Sequence, residues 1–93
     1  MARILLVEDS PSMRAYVRAA LEAAVELGDP VSVVEAASGF DALRLLPRGV
    51  YDLVITDINM PDINGLELIH TIRQHARHAR TPLVVITTND RER

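Results

Sequence analysis

The sequence predicts an α/β fold with a doubly wound parallel sheet, on two observations. Short unbroken apolar runs recur along the chain, and helical patterns separate them. Runs without polar alternation mark strands covered on both faces, as in a parallel sheet. The order strand-helix-strand-helix-strand-helix-strand calls for right-handed crossovers. With 93 residues the chain makes one small domain and is too short for two.

The first strand is Ile4-Leu5-Leu6-Val7, ending at Glu8-Asp9. Ser10-Pro11 then starts a helix, with a hydroxyl cap and proline at the first helical position. Met13, Tyr16, Val17, Ala20, Leu21 and Ala24 follow at three-and-four spacing as its packing stripe, and Gly28 with Asp29-Pro30 stops it. Val31-Ser32-Val33-Val34 is the β-branched second strand. Ser38-Gly39 opens a short helix with Phe40, Leu43 and Leu46 inward, ended by Pro47 and Gly49. Tyr51 is a boundary residue before the third strand, Leu53-Val54-Ile55-Thr56, which stops at Asp57. Residues 59–65 form a loop: Pro61 fixes φ, Asp62 and Asn64 suit turns, Gly65 permits positive φ, and Met60 packs. The third helix starts near Gly65 with apolar positions Leu66, Leu68, Ile69 and Ile72, and runs into a basic end over residues 74–80. Leu83-Val84-Val85-Ile86 is the last strand, followed by Thr87-Thr88.

Composition narrows the function. Apolar residues make up 48% and charged residues 25%, which excludes wholesale disorder. A net charge of -3 argues against a nucleic-acid binder working through a basic surface. There is no cysteine, so disulfides, thiolate metal sites and thiol nucleophiles are excluded. Every positive side chain is arginine, which removes P-loop and Schiff-base lysines. No apolar run approaches the roughly 20 residues that span a membrane, and the N-terminus does not read as a signal peptide. The expected setting is the cytoplasm, without membrane or direct nucleic-acid partners.

In open α/β sheets, ligands bind beyond the carboxyl ends of the strands. Glu8 and Asp9 follow the first strand, Asp57 and Asn59 the third, Thr87 the fourth. If the first and third strands are neighbours, three carboxylates converge, and like charges at close range need a counter-ion. The donors are all oxygens, which favours Mg²⁺ or Ca²⁺ over zinc. A carboxylate beside Mg²⁺ can attack phosphorus, and Thr87 can donate to a phosphoryl oxygen. His70, His75 and His78 are read as a solvated helix end beside Arg73, Arg77 and Arg80, in preference to a metal pair.

The segments ILLVEDSPSMR (4–14), DLVITDINMPDINGLEL (52–68) and VVITT (84–88) resemble the receiver domain of two-component response regulators, including single-domain chemotaxis regulators. The likeness covers essentially the whole chain. It implies a flavodoxin-like receiver fold, here with four strands in the order 2-1-3-4 and three helices. It implies that Asp57 is the phosphoacceptor, supplied by a sensor histidine kinase or phosphotransfer protein. Glu8, Asp9, Asp57 and the Asn59 backbone carbonyl would hold Mg²⁺, and Thr87 would be the switch hydroxyl. Asn59 and Asn89 fall where the family tunes self-dephosphorylation.

The family has five strands and five helices. Against that pattern residues 1–93 form a receiver domain without the C-terminal helix-strand-helix portion, and the lysine after the fifth strand has no counterpart. The expected bare fourth strand and uncovered first helix invite a homodimer. The alternative function is a non-phosphorylatable interaction or dimerisation module. A phosphohydrolase of the aspartyl-phosphate kind is a further rival, but it carries a second aspartate where this chain has Asn59. The expectation is a signalling domain, not an enzyme.

Overall fold

The computed structural model describes residues 2–24 and 30–87. Gly28 and Asn89 therefore lie outside the described residues. Four strands form one parallel sheet: β1 (Ala2–Val7), β2 (Val31–Ala36), β3 (Leu53–Asp57) and β4 (Leu83–Ile86). Their order is β2-β1-β3-β4. Three helices connect them: α1 (Pro11–Ala24), α2 (Gly39–Leu45) and α3 (Gly65–Gln74). Single 3₁₀ turns follow α2 at Leu46–Arg48 and α3 at Ala76–His78.

Alternation along β1 divides the core into two layers. Leu5 and Val7 point with Val54 toward Leu46, Tyr51, Leu68 and Ile72. Ile4 and Leu6 point with Ile55 toward Val17 and Leu21 of α1. The second layer is thin, because α1 buries no residue completely. Ser10 and Ser38 cap their helices as expected: Ser10 Oγ accepts from the Met13 amide at 3.3 Å and Ser38 Oγ from the Asp41 amide at 3.0 Å.

Several side chains depart from the sequence reading. Tyr16 is 71% exposed, and Ala20 and Ala24 are also exposed. Helix α1 is turned so that Arg14 and Arg18 reach Glu35 on edge strand β2, with Arg14 Nε 2.9 Å from its carboxylate. Phe40 and Leu66 are 60% and 62% exposed rather than inward, since they stand on the first turns of α2 and α3, above the buried layer.

The end of α3 differs most. The helix stops at Gln74, and the following 3₁₀ turn folds back so that His78 is fully buried. Its ring lies 5.6 Å from Tyr51 and 5.1 Å from His75. His78 is a core residue, not a solvated helix end. Burial is the main reason its pKa is lowered, with His75 and Arg77 adding to it. Tyr51 is likewise buried rather than at a boundary, and its hydroxyl donates to the Leu45 carbonyl at 2.8 Å. Met60 packs in the core, as expected.

Candidate functional site

The carboxyl ends of β1 and β3 build the site. Val7 pairs with Thr56, so Glu8 and Asp57 are the next residues on adjacent strands. The Glu8 amide donates to the Ala36 carbonyl at 3.0 Å, which extends β1 past its last strand residue. Glu8 and Asp57 are each 1% exposed, while Asp9 is half-buried. One carboxylate oxygen from each of Glu8, Asp9 and Asp57 lies within 4.8 Å of the others. The convergence expected from the strand ends is thus present.

Local structure holds each member. Glu8 Oε2 accepts from the Ser10 amide at 3.0 Å, and Arg14 Nη1 donates to the Glu8 carbonyl at 2.8 Å. Asp57 Oδ1 accepts from the Asn59 amide at 3.1 Å. Gly65 sits against the backbone of this turn, and its amide donates to the Ile58 carbonyl at 3.0 Å. A Cβ on Gly65 would lie 2.6 Å from Ile58 Cα and 2.7 Å from the Asp57 carbonyl oxygen. No described glycine has positive φ, so Gly65 is required for close approach and not for a left-handed turn.

The electrostatics are those of a crowded acidic pocket. Burial, opposed by the Ser10 amide and reinforced by the charges of Asp57 and Asp9, pushes the Glu8 carboxyl up to about 7. Glu8 Oε1 is buried with no hydrogen-bond partner. An orphaned carboxylate oxygen among three converging acids, with oxygen donors alone, fits a hard divalent cation. Glu8, Asp9 and Asp57 are the side chains that could hold it.

Thr87 follows Ile86, which pairs with Asp57, so it stands at the same sheet edge and is exposed. Asn59 is exposed. In the sequence Asp62 reads as a turn former only. Its carboxylate accepts from the Gly39 amide at 3.2 Å and the Phe40 amide at 2.9 Å, tying the loop after Asp57 to the start of α2. An aspartate in a Pro-Asp turn carries no signal for so distant a partner. Among the described residues no helix is long and apolar enough to cross a membrane.

Known proteins are similar to this chain in sequence and fold. Residues 4–93 match the response regulator receiver domain family. The chain is 36% identical over 87 residues to a chemotaxis protein CheY homolog of Campylobacter jejuni, covering 92% of this chain and 64% of that protein. It is 34% identical over 91 residues to the sensor histidine kinase TmoS of Ectopseudomonas mendocina, covering 98% of this chain and 9% of TmoS. The chain thus spans less than two thirds of either relative's length. Among solved structures, the chemotaxis response regulator CheY4 of Vibrio cholerae superposes with a TM-score of 0.84 at 33% identity, over 98% of this chain and 72% of that one. TrrA of Thermotoga maritima, solved in complex with Mg²⁺-BeF, gives 0.83 at 33% identity, over 97% and 72%. TrrA solved in complex with the histidine kinase ThkA gives 0.80 at 33% identity, over 100% and 76%. With its four-stranded order, its three clustered carboxylates and a family match reaching from the first strand to the last residue, the chain belongs to the response regulator receiver domains.

Proposed function

We propose that this chain is a phosphoacceptor of two-component signalling, working in the cytoplasm as a receiver unit over residues 1–93. Asp57 takes a phosphoryl group from the phosphohistidine of a sensor histidine kinase or phosphotransfer protein. A carboxylate oxygen of Asp57 forms the new P–O bond as the P–N bond to the donor imidazole breaks, and that nitrogen keeps the electron pair. Glu8, Asp9, Asp57 and the Asn59 backbone carbonyl would hold Mg²⁺, which would supply positive charge to neutralise the phosphoryl oxygens. Thr87 donates its hydroxyl to one of those oxygens. Asn59, two residues past the acceptor, leaves the site without the second aspartate that an aspartyl-phosphate hydrolase uses, which favours a stored phosphoryl group over turnover.

The observation that carries this reading is the Glu8–Asp9–Asp57 cluster, with Glu8 and Asp57 buried and Glu8 Oε1 unpartnered. TrrA, solved with Mg²⁺-BeF and with a histidine kinase, supports both the ion and the donor class. The test is intact-mass spectrometry after incubation with Mg²⁺ and a small phosphodonor, with Asp57→Ala in parallel. A gain of one phosphoryl group in the parent and none in the variant supports the assignment. A folded parent that gains nothing overturns it.

A second reading, an interaction module that is not phosphorylated and forms a homodimer through β4 and α1, is favoured by the exposure of Val84, Val85 and Tyr16. It requires a dimer in solution, measured by light scattering, whose stability is indifferent to Asp57→Ala.

A further inference from the structure

Helices α2 and α3 leave a groove of about 500 Å³ between their first turns. Phe40 and Leu66 line it and are 60% and 62% exposed, while Ile63 forms its half-buried floor. Two large, exposed apolar side chains on one concavity are a feature that isolated surface residues do not share. The groove is built without a ligand. Asp62 accepts from the Gly39 and Phe40 amides, and Asn64 Oδ1 accepts from the Leu66 amide at 2.7 Å and the Glu67 amide at 3.2 Å. Both helix starts are therefore capped, and their amides are not open to an anion. Such preorganisation lowers the ordering cost of binding.

Charge decides the occupant. The groove's charged lining is Asp62 and Glu67, and its remaining polar residues include His70 but no arginine. Among the described residues Glu67 makes no ion pair. Four of the chain's own arginines are engaged elsewhere: Arg14 and Arg18 at Glu35, Arg44 at Asp41, Arg73 at the carbonyls of residues 78, 79 and 81. An anionic membrane or nucleic acid would meet two carboxylates, whereas a cationic segment with an apolar side chain complements both the charge and the exposed Phe40 and Leu66.

We propose that the α2–α3 groove docks an amphipathic segment of a partner protein, which seats an apolar side chain between Phe40 and Leu66 and sets an arginine or lysine against Asp62 and Glu67. The surface is distinct from the β4 and α1 faces and does not depend on phosphorylation of Asp57.

Peptides selected from a random display library against the chain, then mapped by amide chemical shifts on the isotopically labelled protein, test this. The expected peptides pair an aliphatic or aromatic residue with an arginine or lysine, and shift the amides of Phe40, Ile63, Leu66 and Glu67. Leu66→Ser weakens them by about tenfold or more, the loss of a buried anchor. Glu67→Gln weakens them less and flattens the salt dependence. Both positions are exposed, and unchanged far-UV dichroism shows that the variants fold. Peptides that map to β4 or α1, that carry acidic residues, or that bind Leu66→Ser equally well overturn the proposal. So does a groove whose amide shifts move with protein concentration alone, which assigns it to a second copy.

Discussion

Replacing Glu8 by glutamine should stabilise the chain at alkaline pH. The Glu8 side chain is 1% exposed, and its carboxyl titrates near 7 instead of 4.5. Burial disfavours the charged form in the folded state only, so the folded chain holds this proton more tightly than the unfolded chain. The corresponding stability is fully present below 4.5 and is lost as pH rises through about 7. At about 1.4 kcal/mol per pH unit, that interval amounts to about 3 kcal/mol. Glu8→Gln keeps the size of the side chain and stays neutral, so at about pH 8 it should exceed the parent by roughly that amount and near pH 4 by almost none. With a urea slope of about 1.5 kcal/mol/M, the midpoints separate by about 2 M. The assay is urea unfolding followed by far-UV dichroism across pH in the presence of a chelator. Adding Mg²⁺ at the alkaline end should raise the parent's midpoint by mass action and the variant's much less. Midpoints that run parallel in pH for the two chains would refute the reasoning.

Gly65→Ala should lose about 1–3 kcal/mol, because the added Cβ meets backbone atoms of Ile58 and Asp57 that cannot rotate away. Gly39→Ala should lose less, since its new Cβ meets the Ile63 side chain, and thermal melts of the two variants rank them. His78 has its pKa lowered by burial, so its contribution is present above 6.5 and is lost as pH falls. In a Glu8→Gln background, where the opposing slope is gone, His78→Leu should remove the loss of urea midpoint that sets in below 6.5, leaving the loss at lower pH that Glu35, Asp41 and Asp62 add. Tyr51→Phe should cost about 1 kcal/mol through the Leu45 carbonyl left without its donor, read from the same urea curves.

The strand ends were legible because a continuous apolar run and the polar residue that stops it are both local facts. Glu8, Asp9 and Asp57 followed from them, and the family resemblance supplied the neighbourhood of the first and third strands. Serine caps were equally local. What could not be read was which layer covers each helix face. Spacing puts Met13, Tyr16, Val17 and Leu21 in one stripe, but α1 meets the sheet through Val17 and Leu21 while Arg14 and Arg18 pair with Glu35, which is distant in sequence. Phe40 and Leu66 satisfy a helical pattern while standing above the buried layer. His78 sits among basic residues, the composition of a solvated end, and only the turn after Gln74 carries it to Tyr51. Gly65 needs space and not a left-handed turn, and the neighbours that deny space come from the end of the preceding strand and the residue after it.

The order β2-β1-β3-β4 also bears on how the chain is made. Strand β1 leaves the ribosome before its neighbours, yet it lies inside the sheet, between β2 and β3. Its two hydrogen-bonding edges wait for Val31–Ala36 and Leu53–Asp57. At translation rates of roughly 5–20 residues per second, the interval between Val7 and Asp57 lasts roughly 3–10 s. Through that time the nascent chain carries an apolar strand with at least one open edge. The same arrival ends the exposure and brings Asp57 to Glu8, so a partly synthesised chain has neither a closed sheet nor an acidic pocket.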